Sequence, residues 1–175
     1  MESRVVIILW RDKQGFTLIE VLATVAIVGL LLSAMYSFVI MSNKMYRSGS
    51  DKNDLHYDLR IASERITREV RFAKSLELLD SWNPADAEPG YRYIYFDEVN
   101  NVVVFVNGEG EQLFSGNFIS GLVFKLDGNT LNFKLEAAKR TFTYKLESSV
   151  LLLNLKEQDL ISLDHPVTAV RFTTP

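Results

Sequence analysis

From Val21 to Met41 the chain reads VLATVAIVGLLLSAMYSFVIM, twenty-one residues without a charge. No other feature constrains the fold as strongly. An α-helix rises ~1.5 Å per residue, so a run of this length spans roughly 30 Å, the thickness of a bilayer's hydrocarbon core. A long helix in a soluble protein normally keeps a polar stripe for its outer face, and this run has none. The segment is therefore predicted to cross a membrane. A cleavable secretory signal fits poorly, because its apolar core is usually ~7–15 residues and ends at a small-residue cleavage site. Here the run is longer and passes directly into a polar helical pattern.

The flanks leave the orientation open. Arg4, Arg11 and Lys13 precede the span and Lys44, Arg47 and Lys52 follow it, three basic residues on each side, so the positive-inside rule is balanced. Within the span Gly29, Ser33 and Ser37 recur at intervals of four. That spacing puts small residues on one helix face, where they let helices approach closely in lipid. Small residues are also common in membrane helices, so the ridge alone decides nothing.

One acid, Glu20, stands at the mouth of this segment. A carboxylate at the centre of a membrane helix costs on the order of 2.5–3.5 kcal/mol on insertion scales, and less near the interface. The nearest preceding cations, Lys13 and Arg11, are not three or four residues away, the spacing that pairs side chains on a helix. Two readings follow from the residues alone: an acid that meets a partner from elsewhere, or an interfacial acid that needs none.

Residues 13–20, KQGFTLIE, with the apolar run behind them, resemble the prepilin processing site of type IV pilins and pseudopilins. The resemblance implies a cut between Gly15 and Phe16 by a membrane-embedded prepilin peptidase, which also methylates the new amine of Phe16. It implies that Glu20 pairs with the N-terminal amine of a neighbouring subunit during assembly. That amine exists only after cleavage, and the helix N-terminus adds its own partial positive charge. Glycine at the cut suits a peptidase cleft, which takes an extended backbone without a side chain. The resemblance orients the chain, with the leader cytoplasmic and residues 42–175 outside. It further implies other pilins, an inner-membrane assembly platform and the lipid bilayer as partners. The leader departs from the family in its apolar VVIILW at 5–10, which raises the possibility of a start at Val5, Val6, Ile8 or Leu9 through an alternative codon. The span has no proline, where major pilins often carry a helix-kinking one, and this favours a subunit of minor type.

The domain plan is then a leader over 1–15, a transmembrane and assembly helix over 16–41, and an extracytoplasmic domain over 42–175. In the last, Leu55, Leu59, Ala62, Ile66, Val70 and Ala73 step by three or four, predicting an amphipathic helix over 44–79. It continues the span, with Ser48-Gly49-Ser50 its weakest point. Arg60, Glu64 and Arg68 lie four apart, as on a solvated face. Residues 58–79 resemble the matching helix of J-type or W-type minor pseudopilins through Leu59, Ala62, Arg65, Glu69 and Arg71. Prolines and a glycine in SWNPADAEPG then end the helix. A β-sheet is predicted over 91–175, with hairpins at Asn100-Asn101 and at Asp127-Gly128-Asn129-Thr130. RTFTYKLESSVLLLNL, 140–155, is one long strand or two, Val170-Arg171-Phe172 a last strand, and NGEGEQ, 107–112, a loop. Helix first and strands afterwards is the pattern of an α+β fold, here one long N-terminal helix on an antiparallel sheet, in agreement with the pilin architecture.

The remaining residues argue against catalysis. There is no cysteine, which excludes disulfides, thiolate metal sites and cysteine nucleophiles. His56 and His165 lack metal-ligand spacing; the first reads as a helix-surface residue and the second as part of a turn before a proline. No phosphate loop or Ser-Xaa-Xaa-Lys pair occurs. Glu109, Glu111 and Asp97 match no EF-hand spacing, and no metal or other cofactor is expected. The net charge of −3 gives no basic face for nucleic acid. The sequence therefore reads as a structural subunit: a minor type IV pilin-like protein of a type IV pilus, a type II secretion pseudopilus or a competence pseudopilus, in its initiation or tip complex. The second reading is an adhesin or DNA-capture subunit that uses surface aromatics such as Tyr91, Tyr93 or Tyr95.

Overall fold

The computed structural model describes residues 15–80, 82–108, 110–155, 160–161 and 165–174. The leader residues before Gly15, with their alternative starts, lie outside these, as does Glu109. The chain divides into two compact units, residues 1–46 and 47–175. Helix α1, Leu18–Val70, contributes to both. In the first unit every described residue is exposed, and an 18-residue window of the helix reaches a mean hydropathy of 2.4. This helix is long and apolar enough to cross a membrane. Ser48, Gly49 and Ser50 are helical.

In the second unit the predicted apolar face of α1 is buried. Leu55, Ala62, Ile66 and Val70 are wholly inaccessible and Leu59 nearly so, while Arg60, Glu64 and Arg68 on the other face are exposed. Arg65 and Glu69 differ from a solvated face. The Arg65 guanidinium donates to the Leu113 carbonyl, and Glu69 accepts from Arg92 at 3.2 Å.

The helix ends at Val70, nine residues before the predicted boundary at Leu79. Arg71 and Phe72 turn, and Ser75–Leu79 forms strand β1. The reason is the short alternation SLELL. Leu76 and Leu78 are two apart and bury on one face of a sheet while Glu77 stays half-exposed; on a helix they would point about 200° apart. Tertiary pairing overrides the helix propensity of the segment.

The strands then follow as β2 (Arg92–Asp97), β3 (Val102–Asn107), β4 (Gly110–Leu113), β5 (Ile119–Asp127), β6 (Thr130–Lys139), β7 (Phe142–Leu151), β8 (Leu160–Ile161) and β9 (Ala169–Thr173). They make two sheets where one was predicted: a six-stranded sheet in the order β4-β3-β2-β9-β1-β8 and a three-stranded sheet β5-β6-β7. The first is antiparallel except where β8 runs parallel to β1. Both predicted hairpins form, with Asp97 paired to Val102 and Asp127 to Thr130. Asn101 and Gly128 adopt the positive φ that these turns require, 55° and 52°. Residues 142–151 are one strand. Gly110–Leu113, expected as part of a loop, pairs with β3 instead. Its polar sequence gave no alternation because all four residues of this edge strand are exposed.

One core joins the helix face to both sheets, with Ile94, Val103, Val170 and Phe172 from the first and Leu122, Phe124, Phe133 and Leu135 from the second. Reciprocal backbone bonds between Phe124 and Val167, 2.7 and 3.1 Å, tie β5 to the segment that leads into β9. The first sheet also carries apolar residues on its opposite face. Trp82 stacks on Tyr93 at 4.7 Å and 20°, and Tyr93 is only 2% exposed. Tyr93 is therefore not the surface aromatic that the sequence suggested, and Tyr91 and Tyr95 are half-buried.

A polar anchor fixes α1 against the loop before β5. Asp58, itself buried, accepts from the Phe118 amide at 3.3 Å. Gly116 lies so close that a Cβ there would sit 2.6 Å from both carboxylate oxygens. Burial pushes the Asp58 carboxyl up, against the pull of the Phe118 and Gly116 amides.

Two tests follow from this packing. Ile66→Ala is expected to cost about 2–5 kcal/mol of unfolding free energy, measured by urea titration; a loss below about 1 kcal/mol would mean that the site collapses around the cavity or is not packed. Because Asp58 has a raised pKa when folded, its contribution to stability is complete below the ordinary Asp range and is lost as pH rises through the folded value. Asp58→Asn is expected to flatten that part of the stability–pH curve, and an unchanged slope would show that the carboxyl is not desolvated.

Candidate processing and assembly site

The site is built at the first turn of α1. Gly15, Phe16 and Thr17 are exposed and precede the helix. A Cβ on Gly15 would meet nothing within 4 Å, and Phe16 is 86% exposed. The Gly15–Phe16 peptide bond therefore lies in accessible, non-helical backbone, the form in which a peptidase takes its substrate.

Thr17 starts the helix. Its carbonyl accepts the Val21 amide at 3.2 Å, the first helical bond. Its hydroxyl oxygen accepts the Glu20 amide at 3.3 Å. Glu20 returns the interaction, its Oε2 accepting the Thr17 amide and the Thr17 hydroxyl, both at 2.9 Å. Thr-Leu-Ile-Glu is thus a capping box, in which the first and fourth residues satisfy each other's orphan amides. The acid has a partner within its own chain, a neutral donor three residues back. The Thr-Xaa-Xaa-Glu spacing in the sequence is the signal for this partner. Among the described residues the bonds of the Glu20 carboxylate run through Oε2, so Oε1 remains available at the start of the helix.

Gly29, Ser33 and Ser37 are exposed on the apolar helix. Ser33 donates to the Leu30 carbonyl and Ser37 to the Ser33 carbonyl, each at 3.0 Å. Thr24 does the same with the carbonyls of Glu20 and Val21. Each hydroxyl is satisfied by its own helix and can face an apolar medium without an unpaired donor.

His56, His165 and Asp97, singled out in the sequence, each have partners of their own. His56 packs its ring 4.3 Å from Tyr144 on the helix surface. His165 bonds Asp80 at 2.9 Å. Asp97 caps its own turn, accepting from the amides of Val99 and Asn100 and from the Asn100 side chain, and these bonds hold its carboxyl below the usual range. No group of three possible metal ligands occurs among the described residues.

Residues 10–36 match the family described as the prokaryotic N-terminal methylation motif. Among solved structures, the PilB minor pilin from Streptococcus sanguinis superposes with a TM-score of 0.51 at 15% identity, over 74% of this chain and 35% of that one. A point mutant of the same pilin gives a TM-score of 0.56 at 15% identity, over 71% and 35%. The chain thus spans about a third of the length of these structures. No curated protein matches. The chain thus carries a prokaryotic N-terminal methylation motif at the start of a fold similar to that of a minor pilin.

Proposed function

We propose that the chain is a minor type IV pilin-like subunit that enters the cytoplasmic membrane with its N-terminus inside and its domain, residues 42–175, outside. A prepilin peptidase removes residues 1–15 and methylates Phe16. The mature helix then joins other pilins or pseudopilins on an inner-membrane assembly platform, in the initiation or tip complex of a pilus, a secretion pseudopilus or a competence pseudopilus. The observation that carries this reading is the capping box. It holds the Glu20 carboxylate on Thr17, the residue that follows the exposed, non-helical Gly15–Phe16 bond, inside the residues that match the methylation motif.

Cleavage turns this arrangement into an assembly device. It leaves an amine at Phe16, a cation at the positive end of a helix dipole. In low dielectric such a cation seeks a carboxylate, and Oε1 of Glu20 on a neighbouring subunit offers one. Because amine and acid are four residues apart, pairing between subunits sets the axial offset of one helix against the next. The ridge of Gly29, Ser33 and Ser37 lets those helices approach.

Gly15→Val is expected to leave the leader attached, seen as a mass increase of the cellular protein equal to residues 1–15; a mature-length product would refute the cut site. Glu20→Ala is expected to be processed normally but to co-purify with other pilins at less than about a tenth of the native yield, in line with the loss of an ion pair of ~1.4 kcal/mol or more in a poorly screened setting. Undiminished co-assembly would remove the role assigned to the acid.

A further inference from the structure

Strand β7 ends the second sheet. All ten of its residues pair with β6, and among the described residues no strand lies on its other side. Lys139 and Phe142 close a two-residue turn, so they form a hydrogen-bonded pair and the pattern alternates from there. The amides and carbonyls of Tyr144, Leu146 and Ser148 point to β6. Those of Thr143, Lys145, Glu147, Ser149 and Leu151 point outward. The next residues agree with this phase: the Leu152 amide bonds inward to Asn129, and the Leu153 amide bonds outward to Arg71 of the helix end, at 2.9 and 3.0 Å. A long, regular, open edge of this kind is a template for another strand.

We infer that β7 pairs antiparallel with β7 of a second copy of this chain, about a two-fold axis at Leu146. The side chains select this partner and this register. Centred on Leu146, Lys145 faces Glu147 of the second copy and Glu147 faces its Lys145. These residues continue a pattern already present across the sheet. Lys145 bonds Glu136 at 2.8 Å and Lys134 approaches Glu147 at 3.7 Å, all on the face away from the core. The row across the seam therefore reads Glu136, Lys145, Glu147, Lys134, alternating in sign over both copies. On the core side, half-buried Phe142 and Tyr144 meet Val150 and Ser148, and Leu146 meets itself. A slip of two residues one way sets Lys145 against Lys145, and the other way sets Glu147 against Glu147. A slip of one residue mismatches the two faces. Only one register is complementary, and a two-fold contact uses the same patch twice.

This contact is independent of the helix-based assembly proposed above, because it uses no residue of the N-terminal segment. Antiparallel pairing also inverts one subunit relative to the other, so it joins chains that are not successive members of one filament.

The test uses the full chain in detergent micelles, where the absence of cysteine gives a clean background. Leu146 lies at a non-hydrogen-bonded position of the seam, where opposed Cα atoms are ~4.5 Å apart, within disulfide reach. Leu146→Cys is expected to form a disulfide dimer under mild oxidation. Ser148→Cys alone should not, whereas Ser148→Cys mixed with Tyr144→Cys should. Crosslinking of Ser148→Cys or of an exposed turn control, Val99→Cys, as readily as Leu146→Cys would overturn the register. Two exposed charge variants test it without touching the core. Lys145→Glu and Glu147→Lys should each self-associate about tenfold more weakly in sedimentation, and their equimolar mixture should recover pairing, since Glu then faces Lys at every seam position. Native self-association by either variant, or no recovery on mixing, would sink the proposal.

Discussion

The burial of one helical stripe, Leu55 to Val70, organises the second unit, residues 47–175. Neither sheet is closed on its own core side: the six-stranded sheet offers Ile94, Val103 and Phe172, the three-stranded sheet Leu122, Phe124 and Leu135, and both meet the same helix face. Fully burying side chains of this size contributes roughly 1.5–3 kcal/mol each, far more than an exposed ion pair contributes. The polar contacts around the stripe act instead to fix its setting. Asp58 takes the Phe118 amide, Asp51 meets both Lys139 and Arg140 at the β6–β7 turn, and Arg65 reaches the Leu113 carbonyl. Each ties the helix to a different point of the strands, so rotating α1 by one residue would break all of them together.

The same helix changes character along its length. Up to residue 46 its apolar residues are spread around the whole circumference and exposed, and from Asp51 they gather into one stripe. The change from uniform to periodic hydrophobicity marks where a segment long and apolar enough to cross a membrane gives way to one buried against protein. Hydroxyls are treated accordingly. In the apolar half Thr24, Ser33 and Ser37 bond back to their own helix, whereas in the domain Ser75 and Thr173 bond across strands at 2.7 Å.

Much of this was legible in the sequence. The period of three to four over Leu55–Val70, the charge-free run, and the Asn and Gly at the two hairpins are strong local signals, and each placed its element. Where the reading failed, the deciding information was not local. Ser75–Leu79 has the composition of a helix end and becomes a strand only because β9, some ninety residues later, supplies its partner. Gly110–Leu113 shows no alternation because both its faces meet water. The division into two sheets, in which Phe124 of β5 meets Val167 by an isolated bridge, is announced by no spacing. Tyr93 looked like a surface aromatic since its strand alternates correctly, but the loop carrying Trp82 covers the outer face. At the candidate site the pairing of Glu20 with Thr17 follows from the Thr-Xaa-Xaa-Glu spacing, a signal of hydrogen bonding that a reading of charges alone does not carry.

Strand β9 occupies the centre of the six-stranded sheet, between β2 and β1, although it is the last strand in the described sequence. A chain made from its N-terminus must therefore leave β1 and β2 without their shared neighbour until nearly all of the domain has emerged. Pairings this far apart in sequence form slowly and late. Throughout that interval the helix stripe is available to other apolar surfaces. The order of the strands thus imposes a waiting period on the domain, during which a chaperone or the membrane surface has the first opportunity to hold it.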